Sequence, residues 1–211
     1  MDGALLDLAQ ASSFLAAAVL LTLAPGPDNL MVLSLSLARG RKQGVAFALG
    51  CAAGCLNHTA LAALGVSALI AASPAAFGVL KLAGGLYLAW LGIQVLRQAG
   101  GTVTAPAAAQ GDCRRLFVRG LVANAINPKV ILFFLAFLPQ FVVPSRGDEA
   151  LQILALGVIC TIQGAVLFGL LGLFAGHLGQ SLTRKPAIKL WLDRLAGVTF
   201  VGIGARLVLG R

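Results

Sequence analysis

The sequence predicts an all-α integral membrane protein with six transmembrane helices, arranged as two inverted three-helix halves in which helices 1 and 4 are broken at proline. Three observations support this fold class. The 211 residues are 59% hydrophobic and only 11% charged, whereas soluble domains carry about 25% charged residues. The apolar residues fall into six long runs. A proline followed by a charged residue interrupts the first and the fourth run.

Each apolar run is long enough to cross a membrane, because a transmembrane helix needs about 20 residues. The runs cover residues 14–38, 45–72, 75–96, 116–142, 151–178 and 191–209. Ser73-Pro74 separates the second run from the third, and a stretch rich in Gly, Thr, Ala and Pro separates the third from the fourth. We therefore predict one transmembrane domain over residues 1–211, with halves 1–98 and 114–211 joined by a cytoplasmic linker, 99–113.

The net charge of +9 comes from basic residues that cluster at alternate ends of the predicted helices. Eleven lysines and arginines follow helices 1, 3 and 5, and four lie on the other side. By the positive-inside rule the basic loops should be cytoplasmic and both termini outside. The basic residues form no stripe with interleaved aromatic residues, so we expect the lipid bilayer, and no nucleic acid, as the partner of this chain. Asp2 and Asp7 replace the basic start of a cleavable signal, so we expect the first run to be retained as a span.

The two broken helices correspond to each other. Residues 24–29 are Ala-Pro-Gly-Pro-Asp-Asn, and residues 124–129 are Asn-Ala-Ile-Asn-Pro-Lys. In each run the proline and its charged neighbour lie about 13 residues from the start, near the bilayer midplane at about 1.5 Å per residue. Proline removes a backbone donor and clashes with the preceding turn, so both helices should kink or unwind there. Corresponding breaks in inverted halves indicate a transporter's binding site.

The charged residues at the breaks, Asp28 and Lys129, allow two interpretations. A charge at the centre of a span costs about 2.5–3.5 kcal/mol on insertion scales, so something must offset each of them. They form either a structural ion pair between the halves or part of a wet cavity that binds the charged ends of a substrate. The two interpretations are compatible, because an ion pair can open to admit a zwitterion.

Neutral groups beside the breaks favour the binding interpretation. Asn29, Asn124 and Asn127 add amide donors and acceptors. A helix that restarts at Pro27 or Pro128 presents backbone N–H groups suited to a carboxylate, and the freed carbonyls suit an ammonium group. We therefore predict a site for an α-amino acid, with its carboxylate toward Lys129 and its ammonium toward Asp28.

Three further polar residues lie inside predicted spans. His58 either hydrogen-bonds a neighbouring helix or relays a proton, since an imidazole ordinarily titrates at about pH 6.5. Its neighbour Asn57 is a candidate to line the cavity. Gln163 either lines the cavity or bonds between helices.

Cysteine and glycine patterns leave two alternatives open. Cys51 and Cys55 share a helix face and are either packing residues or ligands of a soft metal. The GxxxG spacings at Gly50–Gly54 and Gly172–Gly176 indicate close helix contacts, either within the chain or at a homodimer face. The sequence contains no Walker loop, HExxH or GxSxG motif. We therefore expect neither an enzyme nor ATP-driven transport within this chain, and we predict no cofactor and no resident metal.

An ordered set of motifs carries a family resemblance. It contains Pro25-Gly26-Pro27 with Asn29, the basic stretch 39–44, Asn127-Pro128-Lys129 and the aromatic stretch 133–141. Together with the length and the six-span layout, this set resembles the LysE/RhtB family of bacterial amino-acid exporters. The resemblance implies secondary export of amino acids or close derivatives across the bacterial inner membrane, coupled to the proton-motive force. The family's motif residues correspond here to Pro25, Gly26, Pro27, Asn127, Pro128 and Lys129.

Proton antiport requires a titratable group within the membrane, and Asp28 and His58 are the candidates. The alternative function within the same fold is export of a divalent metal cation, with Cys51, Cys55 and Asp28 as its ligands. A membrane-embedded enzyme or assembly subunit is less consistent with one carboxylate in the spans and with two corresponding helix breaks.

Overall fold

The computed structural model of the protein describes residues 5–24, 26–66, 73–100, 111–184 and 186–209. These residues contain eight α-helices and no strands, which confirms the all-α class. The helices are α1 (Leu8–Leu23), α2 (Pro27–Arg39), α3 (Arg41–Leu61), α4 (Pro74–Arg97), α5 (Cys113–Ala125), α6 (Pro128–Leu132), α7 (Glu149–Arg184) and α8 (Pro186–Leu209). A π-helical turn, Ala62–Val66, continues α3. A second π-helical turn, Phe133–Phe137, and a 3-10 turn, Leu138–Phe141, continue α6.

Three helices are long and apolar enough to cross a membrane by themselves, and they cover Arg41–Gly65, Ala75–Arg97 and Glu149–Ala175. Two bent pairs each pass the same test as one broken span. The pair α1 and α2 is bent by 57°, and α5 with the extended α6 is bent by 53°. The described residues therefore contain three to five candidate spans. The sixth predicted span forms α8, which carries Asp193, Arg194 and Arg206 and is not among them, so the six-span layout stays a prediction.

Polar capping residues, rather than the limits of the apolar runs, set the helix ends. The Asp7 carboxylate accepts from the Gln10 backbone and closes a capping box at α1. Ser73 caps α4, and Asp112 caps α5. Several helices therefore extend past the predicted bounds. The second predicted run reaches into residues 67–72 and the linker into residues 101–110, which lie outside the described residues.

Glycines allow close backbone approach between helices. A Cβ atom on Gly50 of α3 would collide with the Phe117 carbonyl oxygen of α5, and one on Gly120 of α5 would collide with the Phe47 carbonyl oxygen of α3. A Cβ on Gly54 would lie 2.7 Å from Asn124 Oδ1. The Gly50–Gly54 pair therefore packs within one chain, as expected for small residues between helices in lipid. Along the other GxxxG spacing, Gly172 faces Val45 of α3.

Two hydrogen bonds link segments near the helix ends that carry basic residues. The Cys113 thiol donates to the Lys42 carbonyl oxygen at 4.0 Å, and the Gly100 N–H donates to Asp193 Oδ2 at 3.0 Å. These bonds join the first turn of α3 to the start of α5, and the segment after α4 to the N-terminal part of α8. Where α1 begins, an ion pair of 2.6 Å joins Asp7 to Arg146.

Near the Asp7–Arg146 end, two buried glutamines hold the segment that follows α6. Gln10 donates to the Phe141 carbonyl at 2.6 Å and to Gln152 Oε1 at 3.0 Å. Gln152 in turn pairs with both the N–H and the carbonyl of Val143, at 3.0 Å each. Phe14 packs against Phe133 and Phe141 with ring centroids 5.9 and 5.3 Å apart. Aromatic packing and amide hydrogen bonds therefore close the core at this end.

Candidate functional site

The two helix breaks enclose a buried cavity of about 30 Å³. Its walls come from α1 and α2 of the first half, α5 and α6 of the second, and from α3 and α7. The polar lining residues are Thr22, Asp28, Asn124, Lys129 and Gln163, together with the thiols of Cys55 and Cys160. The rest of the wall is mostly apolar and includes Phe134 and Phe168.

The first break lies between the end of α1 at Leu23 and the start of α2 at Pro27. Proline suits the first helical position, because the N–H that it lacks has no partner within the helix. Gly26 is the N-cap residue, with φ −156° and ψ 175°, and makes no side-chain cap. A Cβ on Gly26 would lie 3.2 Å from Lys129 Nζ, so the absence of a side chain lets the second half approach. The predicted site residue Pro25 lies outside the described residues.

The second break lies between the end of α5 at Ala125 and the start of α6 at Pro128. Asn127 caps α6, since its Oδ1 accepts from the Lys129 backbone N–H at 3.1 Å. Its Nδ2 donates to Asp28 Oδ2 at 3.0 Å. One asparagine therefore both restarts the helix and holds the carboxylate of the other half.

The charged side chain of each half is bound by the break of the other half. Asp28 Oδ2 accepts from Asn127 and also from Asn124 Nδ2, at 3.3 Å. Lys129 Nζ donates to the Ala24 carbonyl oxygen at 3.0 Å and lies 5.6 Å from the centroid of the Phe200 ring. Asp28 and Lys129 line the same cavity without forming a direct ion pair in the described part of the chain.

Asp28 and Lys129 are buried, so only a molecule inside the cavity can bind their charged groups. Asp28 is 5% exposed and Lys129 is 7% exposed. Neutral amides, a carbonyl and an aromatic face stabilise the two charged side chains. The charges of Asp28 and Lys129 are opposite, so the pair adds no net charge to the membrane interior. The Ala24 carbonyl, freed by the break, already accepts from an ammonium group, that of Lys129. The site therefore contains an anion, a cation and neutral hydrogen-bonding groups that can exchange partners.

The structure brings Asn29 close to this site and separates Asn57 from it. Asn29 is buried, and its Nδ2 donates to the Thr22 carbonyl oxygen at 2.8 Å, whereas its Oδ1 has no partner. Asn57 is exposed on α3 and is not among the cavity-lining residues. Adjacent residues of a helix are about 100° apart, so Asn57 and the buried His58 face different directions.

His58 lies beside the second break but is not among the residues that line the cavity. Its Nε2 is 3.1 Å from the Asn124 carbonyl oxygen. Because a carbonyl only accepts, Nε2 carries the proton in this contact. The imidazole also packs against the ring of Phe134, with centroids 5.6 Å apart and the ring planes tilted by 33°, and Phe134 does line the cavity.

Gln163 both lines the cavity and bonds between helices. It lies on α7, and its Nε2 donates to Thr22 Oγ1 of α1 at 2.9 Å and to the Cys160 carbonyl at 3.1 Å. Gln163 Oε1 is buried and has no partner.

Of the metal ligands considered from the sequence, Cys55 lines the cavity with Asp28, whereas Cys51 is buried and is not a lining residue. In the described ranges no group of three or more His, Cys, Asp or Glu side chains is arranged to hold a metal ion.

Sequence reasoning did not find Thr22, Cys160 or Phe200. Thr22 carries a weak signal, because it is a lone hydroxyl shortly before the first break. Phe200 carries none, since only the packing of α8 brings its ring to Lys129.

Comparison with known proteins identifies a matching family profile and several relatives. Residues 19–211 match the family profile described as LysE type translocator. An uncharacterized membrane protein of Vibrio cholerae serotype O1 is 34% identical, over 94% of this chain and 96% of that protein. The homoserine/homoserine lactone efflux protein of Salmonella typhimurium is 34% identical over the same shares. The threonine efflux protein of Escherichia coli K12 is 31% identical, over 90% of this chain and 92% of that protein.

No solved structure matches the chain. The profile match over nearly the whole length and the identities with these relatives confirm the predicted resemblance and show that the chain belongs to the LysE type translocator family.

Proposed function

We propose that this protein is a secondary active exporter of amino acids or close derivatives in the bacterial inner membrane. The observation that carries the proposal is the pair of buried charges, Asp28 and Lys129, which lie on two corresponding broken helices and line one cavity. The relatives named for threonine efflux and for homoserine/homoserine lactone efflux support the same substrate class. Such a protein moves its substrate without changing it, so we class it as a non-enzyme.

Substrate binds in this proposal by partner exchange. The substrate ammonium replaces the amides of Asn124 and Asn127 at Asp28, and the substrate carboxylate replaces the Ala24 carbonyl at Lys129. Each replacement turns a hydrogen bond with one charged partner into a hydrogen bond between two opposite charges, which adds Coulomb attraction. Gly26, Asn29 and the prolines of the two breaks complete the proposed site. Pro25 is included because of its place in the family motif.

The conformation described above is closed. A cavity of about 30 Å³ is far below the roughly 300 Å³ of the smallest typical ligand pockets. Export therefore requires the walls to separate, first on one side of the membrane and then on the other. The breaks at 57° and 53° are the places where helix halves move without losing internal hydrogen bonds.

Proton antiport drives export in this proposal, with Asp28 as the first coupling candidate and His58 as the second. Asp28 lines the cavity, so substrate and proton compete for one carboxylate, whereas His58 contacts the cavity only through its neighbours. A charge that crosses 100 mV provides about 2.3 kcal/mol. A tenfold gradient of a neutral solute needs about 1.4 kcal/mol, so one proton per cycle is sufficient.

The loops rich in Lys and Arg face the cytoplasm in this proposal, and both termini lie outside. Native Cys113 tests the orientation, since it is exposed next to the basic residues Arg114 and Arg115, whereas Cys51, Cys55 and Cys160 are buried. A membrane-impermeant maleimide should label Cys113 in inside-out vesicles and not in intact spheroplasts. The reverse pattern would contradict the orientation.

Reconstitution tests the proposed function directly. Purified protein in proteoliposomes is offered a panel of radiolabelled amino acids, with and without an acid-inside pH gradient, beside cadmium and zinc ions. We expect uptake of at least one neutral amino acid, accelerated by the gradient, and no metal uptake above that of empty liposomes. Metal uptake without amino-acid uptake would establish the alternative function, and uptake of neither would overturn the proposal.

A further inference from the structure

The amide of Gln163 leaves one hydrogen-bonding atom unused at the central cavity. The side chain is 9% exposed and lines the cavity beside Thr22, Asp28 and Lys129. The Cys160 carbonyl, 3.1 Å from Nε2, fixes the orientation of the amide, because a carbonyl oxygen accepts only from the amide nitrogen. Gln163 Oε1 is therefore a buried acceptor without a donor.

An unpaired acceptor in a cavity wall indicates a ligand donor. Most buried polar side-chain atoms have a hydrogen-bond partner, and one that lacks a partner requires an explanation such as a bound ligand, an ion or a water molecule. Thr22 holds the amide in place, because its Oγ1 accepts from Gln163 Nε2 at 2.9 Å. Asn29 holds Thr22 in turn, through its bond of 2.8 Å to the Thr22 carbonyl.

The other polar groups of the cavity are committed to the part that all amino acids share. Asp28 and Lys129 take the ammonium and the carboxylate, and Asn124 is bonded to Asp28. These groups distinguish no side chain from another. Phe134, Phe168 and the remaining apolar wall supply shape alone. Asn29 Oδ1 and Ser36 Oγ are also buried without a partner, but these residues do not line the cavity. Among the lining residues, Gln163 Oε1 is the unpaired acceptor that is left for the substrate side chain.

We infer that Gln163, positioned by Thr22, determines specificity by accepting a hydrogen bond from the side-chain hydroxyl of the substrate. The ligand class is a small aliphatic amino acid with a side-chain hydroxyl. An isostere with a methyl group in place of the hydroxyl leaves Oε1 unpaired and is selected against, since sites built to bond a hydroxyl reject analogues that lack it. This inference rests on the proposed function and adds a substrate class to it.

Paired isosteres measure this preference. Threonine and valine differ by a hydroxyl in place of a methyl group, and homoserine and norvaline differ in the same way. The assay measures uptake of one labelled member of these pairs into proteoliposomes while each unlabelled amino acid competes with it. The preference ratio of a pair is the concentration of the apolar member that halves uptake, divided by the concentration of the hydroxylated member that does so. We expect the wild type to prefer each hydroxylated member by about tenfold or more.

Gln163→Leu removes the acceptor. The preferences for threonine over valine and for homoserine over norvaline should both fall close to one, because the variant binds the hydroxylated amino acids more weakly and the apolar ones as before. Thr22→Val keeps the shape of the side chain and removes the hydroxyl that holds the Gln163 amide. It should therefore also lower the preference for the hydroxylated member of each pair. Gln140→Leu makes the same change at an exposed glutamine outside the cavity, and it should leave the ratios unchanged.

Two results would overturn the inference and leave the proposed function standing. One is a wild type that carries amino acids but does not distinguish threonine from valine. The other is a folded Gln163→Leu protein with the wild-type ratio, which would mean that Oε1 serves solvent only. A wild type that carries no amino acid would instead contradict the proposed function itself.

Discussion

At the scale of single residues, the charges of the site are held by neutral groups of the opposite half and not by each other. Asp28 accepts from two asparagine amides, and Lys129 donates to a freed carbonyl oxygen. Removing one partner of a buried charge leaves the other groups uncompensated, so both positions should be sensitive to substitution. A hydrogen bond from a charged group to a neutral partner lacks the Coulomb attraction between two opposite charges, which suits groups that must release their partners to a substrate.

The pH dependence of transport should separate Asp28 from His58. Asp28→Asn removes the carboxylate for which substrate and proton compete. An acid-inside gradient should therefore no longer accelerate uptake into proteoliposomes. His58→Gln retains a donor for the Asn124 carbonyl and should keep the acceleration. For the wild type, each unit of pH difference supplies about 1.4 kcal/mol per proton and should support about tenfold accumulation. Loss of the acceleration in His58→Gln with its retention in Asp28→Asn would assign coupling to the imidazole.

At the scale of elements, backbone contact through glycine positions the helices that carry the site. Gly50 and Gly120 bring α3 against α5, and this crossing holds His58 beside the Asn124 carbonyl. Gly85 and Gly92 of α4 similarly face the Gly204 and Gly197 carbonyls of α8, at 2.9 and 2.6 Å from an added Cβ. Helices with larger residues at these points would have to separate, and the cavity wall would open.

Gly120→Ala should therefore destabilise the protein, by about 1–3 kcal/mol as in overpacked cores. Gly169→Ala in α7 is the matched control, because nothing lies within 4 Å of its added Cβ, and alanine there favours the helix by up to about 1 kcal/mol. Thermal unfolding in detergent compares the two variants. Equal unfolding temperatures would show that the α3–α5 contact is looser than described.

The helices and their breaks follow from local patterns in the sequence, and the cavity wall does not. The Pro-charge steps predict where α2 and α6 begin, since proline affects its own turn. The helix ends differ from the apolar runs where a cap such as Asp112 acts beyond the run. Thr22 and Phe200 reach the site only through packing of distant segments, so no pattern near them reveals it.

At the scale of the whole molecule, the two halves complete one another across the cavity. The first half provides an anion to the break of the second, and the second provides a cation to the break of the first. This reciprocity is what the predicted architecture of two inverted halves requires. It also gives a zwitterion one partner from each half, so that binding and movement of the halves are coupled.

Equilibrium binding tests the central claim, that Asp28 and Lys129 bind the amino acid, most directly. The ligand is radiolabelled threonine, or whichever amino acid the reconstitution panel shows to be carried, and the protein is purified in detergent. Asp28→Asn and Lys129→Met should each weaken binding by about tenfold or more, as expected for loss of a hydrogen bond to a charged group. Lys42→Met, at an exposed lysine in the first turn of α3, should bind like the wild type. A Lys129→Met protein that stays monodisperse and binds with wild-type affinity would contradict the account.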